Sequence, residues 1–275
     1  MSIALRSRSF GFVFAAALAL AVSVPSGPAR AADPEYELTL YVWGAMLAGK
    51  VDTDQGEATA RMSFSDVWDN LNLALMARGR AQWDKVSLVG DFEYFDLESD
   101  REQRTVRVGP SGNIEIPASV KVEVVEYVAE LSAGYEILNV KGPFSRGPGD
   151  ERGTVAELYA GGRYFSVQPD ITVKFGGARR DLGKNHSWVD AIVGTRIGID
   201  LSRSVVLGIQ GDVGGFNIGN SSEFSWSQIT SLSWNASETL TLSLGYKFLE
   251  FKKDKGDDYL KLQMRGPFVA SAFRF

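Results

Sequence analysis

The chain has 275 residues, with 29 Lys and Arg against 34 Asp and Glu, one His and no Cys. The missing cysteines exclude a disulfide-stapled scaffold, thiolate chemistry, iron–sulfur clusters and Cys-ligated zinc, and one histidine excludes multi-histidine metal sites and leaves a single candidate imidazole base. A net charge of −5 runs against nucleic-acid binding, which normally goes with a basic stripe.

Residues 1–31 read as a secretory signal peptide. Arg6 and Arg8 make its positive start, Gly11–Val24 its apolar stretch, Pro25, Gly27 and Pro28 break the helix, and Ala29-Arg30-Ala31 is a small-x-small cleavage site. The apolar stretch is too short for the ~20 residues a membrane-spanning helix needs. Cleavage removes three arginines and no acid, which takes the net charge from −5 to −8. No cysteine follows the site, so no lipid anchor is expected.

Residues 32–275 then alternate apolar and polar residues with a period of two, the signature of strands. Glu35–Ala45 comes first, with Leu38, Leu40 and Val42 on one face and Thr39, Tyr41 and Trp43 on the other. Leu73–Trp83 and Val86–Leu97 follow, joined by the turn Asp84-Lys85. Val120–Tyr135 starts in the opposite phase, which predicts a bulge near Val124-Val125. Val155–Val167, Trp188–Leu201, Val205–Phe216, Phe224–Trp234, Glu238–Phe251 and Tyr259–Phe275 complete ten segments. Their mid-strand glycines, such as Gly79, Gly162, Gly194 and Gly245, are expected to relieve crowding and permit curvature.

Alternation alone does not separate a soluble barrel from a membrane barrel, whose apolar face meets lipid and whose polar face lines the lumen. Segment length does bear on it, because transmembrane strands need about 9–11 residues against about 5–6 for soluble ones. Tight connections at Asp84-Lys85, Leu201–Ser204 and Asn235-Ala236-Ser237 also alternate with long polar stretches at Gly44–Asn72, Asp96–Ser119, Gln168–Ser187, Asn217–Glu223 and Lys252–Asp258. Asn139–Gly153 departs from this pattern, being long where a short turn is due. An even strand number puts both ends on one side, as single-chain bacterial barrels require. Two aromatic belts are expected at the bilayer interfaces. Trp83, Tyr135, Trp234, Phe273 and Phe275 would form one, and Trp43, Tyr94, Tyr164 and Phe248 the other.

The last strand, Phe268–Phe275 (FVASAFRF), ends on an aromatic, with Val269 and Phe273 on the face of Phe275. Here the sequence resembles the bacterial outer-membrane β-barrel families, and Asp190–Phe275 (DAIVGTRIGIDLS, GDVGGF, LGYKFL, GPFVASAFRF) is similar to a large proteobacterial group of them. The resemblance implies an outer-membrane location and a C-terminal signal, Phe273, Arg274 and Phe275, read by the barrel-assembly machinery. It implies no activity. The expected fold is an all-β, antiparallel up-and-down transmembrane barrel of about ten strands, with eight or twelve as alternatives.

The polar phase points Arg78, Arg80, Asp91, Glu93, Glu126, Glu130, Glu157, Arg163, Asp190, Arg196, Asp212 and Lys247 into the lumen. Mixed signs on adjacent strands suit a paired network that plugs a narrow barrel, while an open path lined by charge is the competing expectation. Other signals are weak. His186 beside Ser187 evokes membrane-barrel acyl hydrolases, yet neighbouring strand residues point to opposite faces, so His186 is read as a solvated loop residue. Gly177–Lys184 falls one glycine short of a phosphate loop, and Asp52–Gly56 lacks the spacing of a calcium loop. Loop carboxylates (Asp96, Glu98, Asp100, Glu102, Asp254, Asp257, Asp258) could bridge cations to lipopolysaccharide but suit solvated loops better. Ser65–Asn70 suits a short helix capped by Ser65. No cofactor, metal or catalytic residue is expected. The functional expectation is a non-enzymatic outer-membrane protein, structural or weakly porin-like, among lipid and lipopolysaccharide. A lipid-modifying enzyme and a soluble periplasmic binding barrel like the lipocalins are the alternatives.

Overall fold

Period-two patterning becomes a closed sheet. The structure, a computed structural model, describes residues 34–53, 56–108, 114–144, 153–175, 178–182, 185–255 and 258–275. The expected signal peptide lies outside the described residues, as do parts of the phosphate-loop and calcium-loop near misses and of the loop carboxylate set. In chain order the elements are β1 (Glu35–Trp43), β2 (Met46–Thr53), β3 (Gly56–Met62), α1 (Phe64–Asp69), β4 (Leu71–Trp83), β5 (Val86–Val108), β6 (Ile114–Lys141) and β7 (Gly153–Phe175). They continue with β8 (Ala178–Leu182), β9 (His186–Asp200), β10 (Val205–Gly215), β11 (Phe224–Asn235), β12 (Leu240–Lys255) and β13 (Asp258–Arg274).

Ten of these, in the order β1-β4-β5-β6-β7-β9-β10-β11-β12-β13, make an antiparallel barrel that closes where β1 pairs β13, from Glu37 opposite Arg274 to Trp43 opposite Phe268. The start of the first barrel strand and the end of the last meet there, since Tyr36 and Phe275 exchange backbone hydrogen bonds of 3.1 and 3.0 Å. The same end carries the tight connections. At one of them Asp84 takes a φ of 49°, a left-handed conformation that Asp tolerates.

At the other end the expected long polar loops are largely strand. β5, β6 and β7 have 23, 28 and 23 residues and pair well past the barrel wall. Gly44–Asn72 holds the hairpin β2–β3, which extends the sheet from β13, and α1. Gln168–Ser187 holds the end of β7 and its partner β8, so that Ala178–Leu182 of the near-miss phosphate loop is strand. His186 opens β9 opposite Val167 and is therefore a strand residue, correcting the loop assignment. The Asn139–Gly153 connection shrinks likewise, because β6 runs on to Lys141 opposite Gly153.

The predicted bulge at Val124-Val125 is absent: β6 stays in continuous register there with both neighbours, and the shifts fall at Arg101/Arg104 and Glu136/Leu138. What changes at Val124 is the chemistry of the interior. Val124 has the parity of buried Glu126, Val128 and Glu130, and it packs against an apolar cluster inside the barrel. Toward the chain ends, outward residues are apolar (Leu40, Leu131, Val193 and Leu244 are exposed) while the interior is charged. Toward the far end the two faces exchange roles. In β13, Val269 and Phe273 point outward near the terminus, whereas further up Leu260, Leu262 and Met264 point inward and Arg265 lies exposed outside. In β12 the same exchange comes after Phe248, with Leu249 and Phe251 buried and Glu250 and Lys252 outside. A reversal of hydrophobic phase without a slip of register reflects a change in what surrounds the strand.

The helix α1 starts two residues earlier than predicted. Ser63, not Ser65, is the cap: its Oγ accepts from Asp66 N at 3.3 Å, and Asp66 Oδ2 accepts from Ser63 N at 3.0 Å. This reciprocal pair satisfies two of the donors that a helix start leaves open.

Candidate functional site

Ten of the twelve charges expected in the lumen join one hydrogen-bonded network across the barrel interior. Arg163 of β7 is its centre. Its Nε and Nη2 donate to Glu130 Oε2 at 3.2 and 2.7 Å, and its Nη1 and Nη2 donate to Asp212 at 2.9 and 2.8 Å. Asp212 also accepts from Tyr159 Oη at 2.9 Å and Ser227 Oγ at 2.5 Å. Gln210 donates to Tyr159 Oη at 3.2 Å and accepts from Arg78 Nη1 at 3.1 Å, which carries the network to β4. Arg78 grips Asp91 at 2.9 and 2.6 Å, Tyr41 Oη lies 2.7 Å from Asp91 and 2.9 Å from Glu93, and Lys247 pairs with Glu93.

A second branch lies nearer the chain ends. Glu157 accepts from Arg196 at 2.5 Å, Arg80 at 2.7 Å and Ser87 at 2.8 Å. Arg196 also donates to Ser132 at 2.7 Å and stacks its guanidinium 3.7 Å from the Tyr159 ring centre. Ser132 donates to Glu130 at 3.3 Å and joins the branches.

Every barrel strand except β13 contributes a side chain. Five cations (Arg78, Arg80, Arg163, Arg196, Lys247) meet five carboxylates (Asp91, Glu93, Glu130, Glu157, Asp212), so the network is balanced in formal charge. Isolated charges would be prohibitive there, and the arrangement is tolerable because each is paired and hydrogen-bonded. Two inward glycines make room for it. A Cβ on Gly134 would stand 2.2 Å from Glu157 Oε1, and one on Gly194 would stand 2.7 Å from Tyr159 Cζ. Among Arg78, Asp91, Glu93, Glu130, Arg163 and Lys247 the remaining cavity is about 10 Å³, room for roughly one water.

Glu126 and Asp190 also face inward but stand apart from the network. Glu126, 2% exposed, lies between Phe95 and Val167 in register, and its Oε1 lacks a hydrogen-bond partner. Asp190 Oδ1 accepts from Ser222 N at 2.7 Å, and the Ser222 hydroxyl takes the Trp188 indole N–H at 2.7 Å. Among the described residues no group of three or more His, Asp or Glu is placed to hold a metal ion.

Above the network the interior is apolar. Trp43, Phe95, Phe165, Trp188, Phe251 and Met264 form the heart of a buried cluster, with Phe165 and Phe251 rings 4.9 Å apart and Trp188 4.9 Å from Phe251. Trp43, expected in an outer aromatic belt, is one of these residues. It is 3% exposed and donates to Gly266 O at 3.2 Å, because its parity is that of inward Tyr41. Tyr94 is outward by parity but covered, its ring 5.0 Å from Tyr127. Tyr164 is exposed outside, and Phe248 is half-buried against Trp226 at 4.1 Å. The opposite belt has the expected exposure: Tyr135, Trp234, Phe273 and Phe275 are exposed on the outside and Trp83 half-exposed.

Sequence reasoning missed Tyr41, Tyr159, Gln210 and Ser227 as network members. Their parity places them on the charged face, so the signal was present, but only charge served as the marker.

The barrel also has counterparts of known structure. No family model matches the chain, and no curated protein matches it. In fold it is similar to the outer membrane protease OmpT from Escherichia coli, with a TM-score of 0.53 at 9% identity over 92% of this chain and 100% of that one. It is more distantly similar to the translocator domain of autotransporter NalP from Neisseria meningitidis (TM-score 0.43, 10% identity, 90% of each chain). A further match is the P. putida toluene transporter TodX (TM-score 0.29, 10% identity, 91% and 90%). At these identities the likeness is one of fold.

Proposed function

We propose that this protein is an integral outer-membrane β-barrel that is closed to solutes and serves the cell envelope as a structural element rather than as a pore or an enzyme. The double closure of the interior carries this reading. A solute would have to displace a charge-balanced, hydrogen-bonded network and then a packed aromatic layer, and an unpaired ion in such a layer is costly. The outward apolar band, the two chain ends at one end of the barrel and the fold shared with an outer membrane protein support the membrane placement. The signal peptide read at 1–31 supplies the export route.

The reading assigns lipid and lipopolysaccharide as surroundings, and the barrel-assembly machinery as a partner recognising Phe273, Arg274 and Phe275. Phe275 is 76% exposed, and Arg274 Nε reaches Glu37 at 3.0 Å across the closing seam. The outer membrane protease OmpT has a similar fold, but here the only histidine of the sequence and its neighbour Ser187 lie on opposite faces of β9.

Conductance of the purified full chain in planar bilayers tests the closure. The expected result is no channel events, and steady unitary currents would overturn it. Urea washing of membranes tests the placement: the protein should stay in the pellet, and its release into the soluble fraction would end the membrane reading.

A further inference from the structure

The six-residue helix α1 presents two large side chains to the outside. Phe64 and Trp68, one turn apart, pack with ring centres 5.9 Å apart and planes tilted by 42° and are 43% and 59% exposed, while Val67 between them is buried. Gly44 shows which side of the barrel they occupy. Trp43 and Ala45 belong to the interior cluster and Val42 is exposed outside, so Gly44 has outward parity, and a Cβ there would stand 2.6 Å from the Phe64 ring. The helix therefore sits with its aromatic face toward the surroundings of the barrel, above the β1–β13 seam.

Its height is set as well. From Tyr36 to Gly44 is about 26 Å of strand, or about 20 Å along the axis at a tilt of roughly 40°. That is near the top of an apolar band about 25 Å tall. Sequence chemistry agrees: below Gly44 and its hydrogen-bond partner Pro267 lie exposed Val42 and Val269, and just above lies exposed Arg265. Around the barrel this level carries outward aromatics on other strands, Tyr94 with Tyr127, Tyr164, and Trp226 with Phe248. On β1 and β13 the corresponding positions are Gly44 and Pro267, which leave a gap in the belt.

We propose that α1 is an interfacial anchor whose Phe64 and Trp68 fill that gap and insert at the boundary between headgroups and acyl chains of the outer leaflet. The inference rests on the membrane reading above. Aromatic rings favour this boundary, and here a capped helix supplies them from a loop because the strands beneath cannot. Exposed Val42 and Val269 are the next outward residues below Gly44, against which the Phe64 ring lies, so the helix face meets the same lipid as the strands beneath it.

The absence of cysteine makes the test direct. Trp68→Cys, Leu131→Cys and Lys85→Cys, each carrying a nitroxide in the full chain reconstituted into phospholipid vesicles, are compared for collision with oxygen, which concentrates in lipid, and with a water-soluble nickel chelate. The label at Leu131, exposed on the outside in mid-band opposite Gly90 and Gly162, should favour oxygen, that at Lys85, in a turn, should favour nickel, and that at Trp68 should fall between them with oxygen ahead. A Trp68 label that matches the Lys85 label, or that is shielded from both reagents, overturns the anchor while the Leu131 label still favours oxygen. A Leu131 label that favours nickel overturns the membrane reading itself.

Discussion

The lower and upper halves of the barrel interior are built on opposite principles. The lower half is packed with charge and wrapped in an apolar outside, and the upper half is packed with aromatics and wrapped in Glu250, Lys252 and Arg265. One continuous sheet carries both. The difference teaches that the outside is the controlling variable. Where the outward positions must be apolar, alternation leaves the inward ones polar, and filling them requires a satisfied network. Where the outward positions meet water, the inward ones revert to an ordinary hydrophobic core.

The sharpest way to break this comparison is to unbalance the lower half. Arg163→Ala leaves Glu130 and Asp212 facing each other without their shared cation, their side chains 6% and 0% exposed. Removing one partner of a buried pair costs about 3–5 kcal/mol, and here two carboxylates are stranded. Thermal unfolding in detergent, followed by the mobility shift of the folded barrel, should show the largest loss of any single substitution in the molecule. Unchanged stability would mean that the network is solvated.

In the upper half the equivalent lesion is a void. Phe251→Ala empties a fully buried position between Phe165 and Trp188 and should cost about 3–5 kcal/mol. It leaves no stranded charge, so its cost should not change with pH, whereas protonating the two freed carboxylates should restore part of the stability of Arg163→Ala in acid. Parallel melts at neutral and acidic pH separate the two mechanisms.

The phase exchange also shows how far the sequence could be read. Strand number, closure, both chain ends at one end and ten network charges follow from a period of two, because a strand that pairs on both edges has only two faces. The exchange itself was misread. At Val124 the reversal looked like a bulge, since a single-environment barrel reverses phase only by slipping register, whereas β6 crosses from one environment to another in perfect register. Trp43 illustrates a second ambiguity: an aromatic near a strand end suggests an interface belt, yet its parity with Tyr41 buries it. Ser63 and Ser65 both stand shortly before the apolar pair Val67-Trp68, so the sequence offers two caps, and only the reciprocal bond of Ser63 with Asp66 chooses between them. The hydroxyl and amide links of the network were illegible to a search for charge.

A smaller effect sharpens the boundary between the halves. Leu244 is 61% exposed on the outside of the lower half, and an arginine facing the middle of a bilayer costs about 2–4 kcal/mol. Leu244→Arg should lower stability in vesicles by that order and much less in detergent. Gln263→Arg, on the outward face above the exchange, should change neither, because its site already hydrogen-bonds Glu250 at 2.7 Å beside Lys261. Equal penalties at the two sites would mean that the exchange of phase does not mark the edge of the membrane.

The smallest effect comes from the same chemistry as the largest. Lys252 and Glu223 form an ion pair of 2.6 Å on the outside of the upper half, with side chains 36% and 43% exposed. Its geometry matches that of Arg163 with Glu130, whose contact is 2.7 Å. Distance is therefore the same and only the surroundings differ. Water screens the outer pair and receives either charge alone, so breaking it strands nothing. Lys252→Gln should leave the melting temperature unchanged within error at low and high salt, while Arg163→Ala lowers it sharply at both. A Lys252→Gln loss that grows as salt is diluted would show that the upper wall depends on its surface charges, and that the aromatic core alone does not hold it.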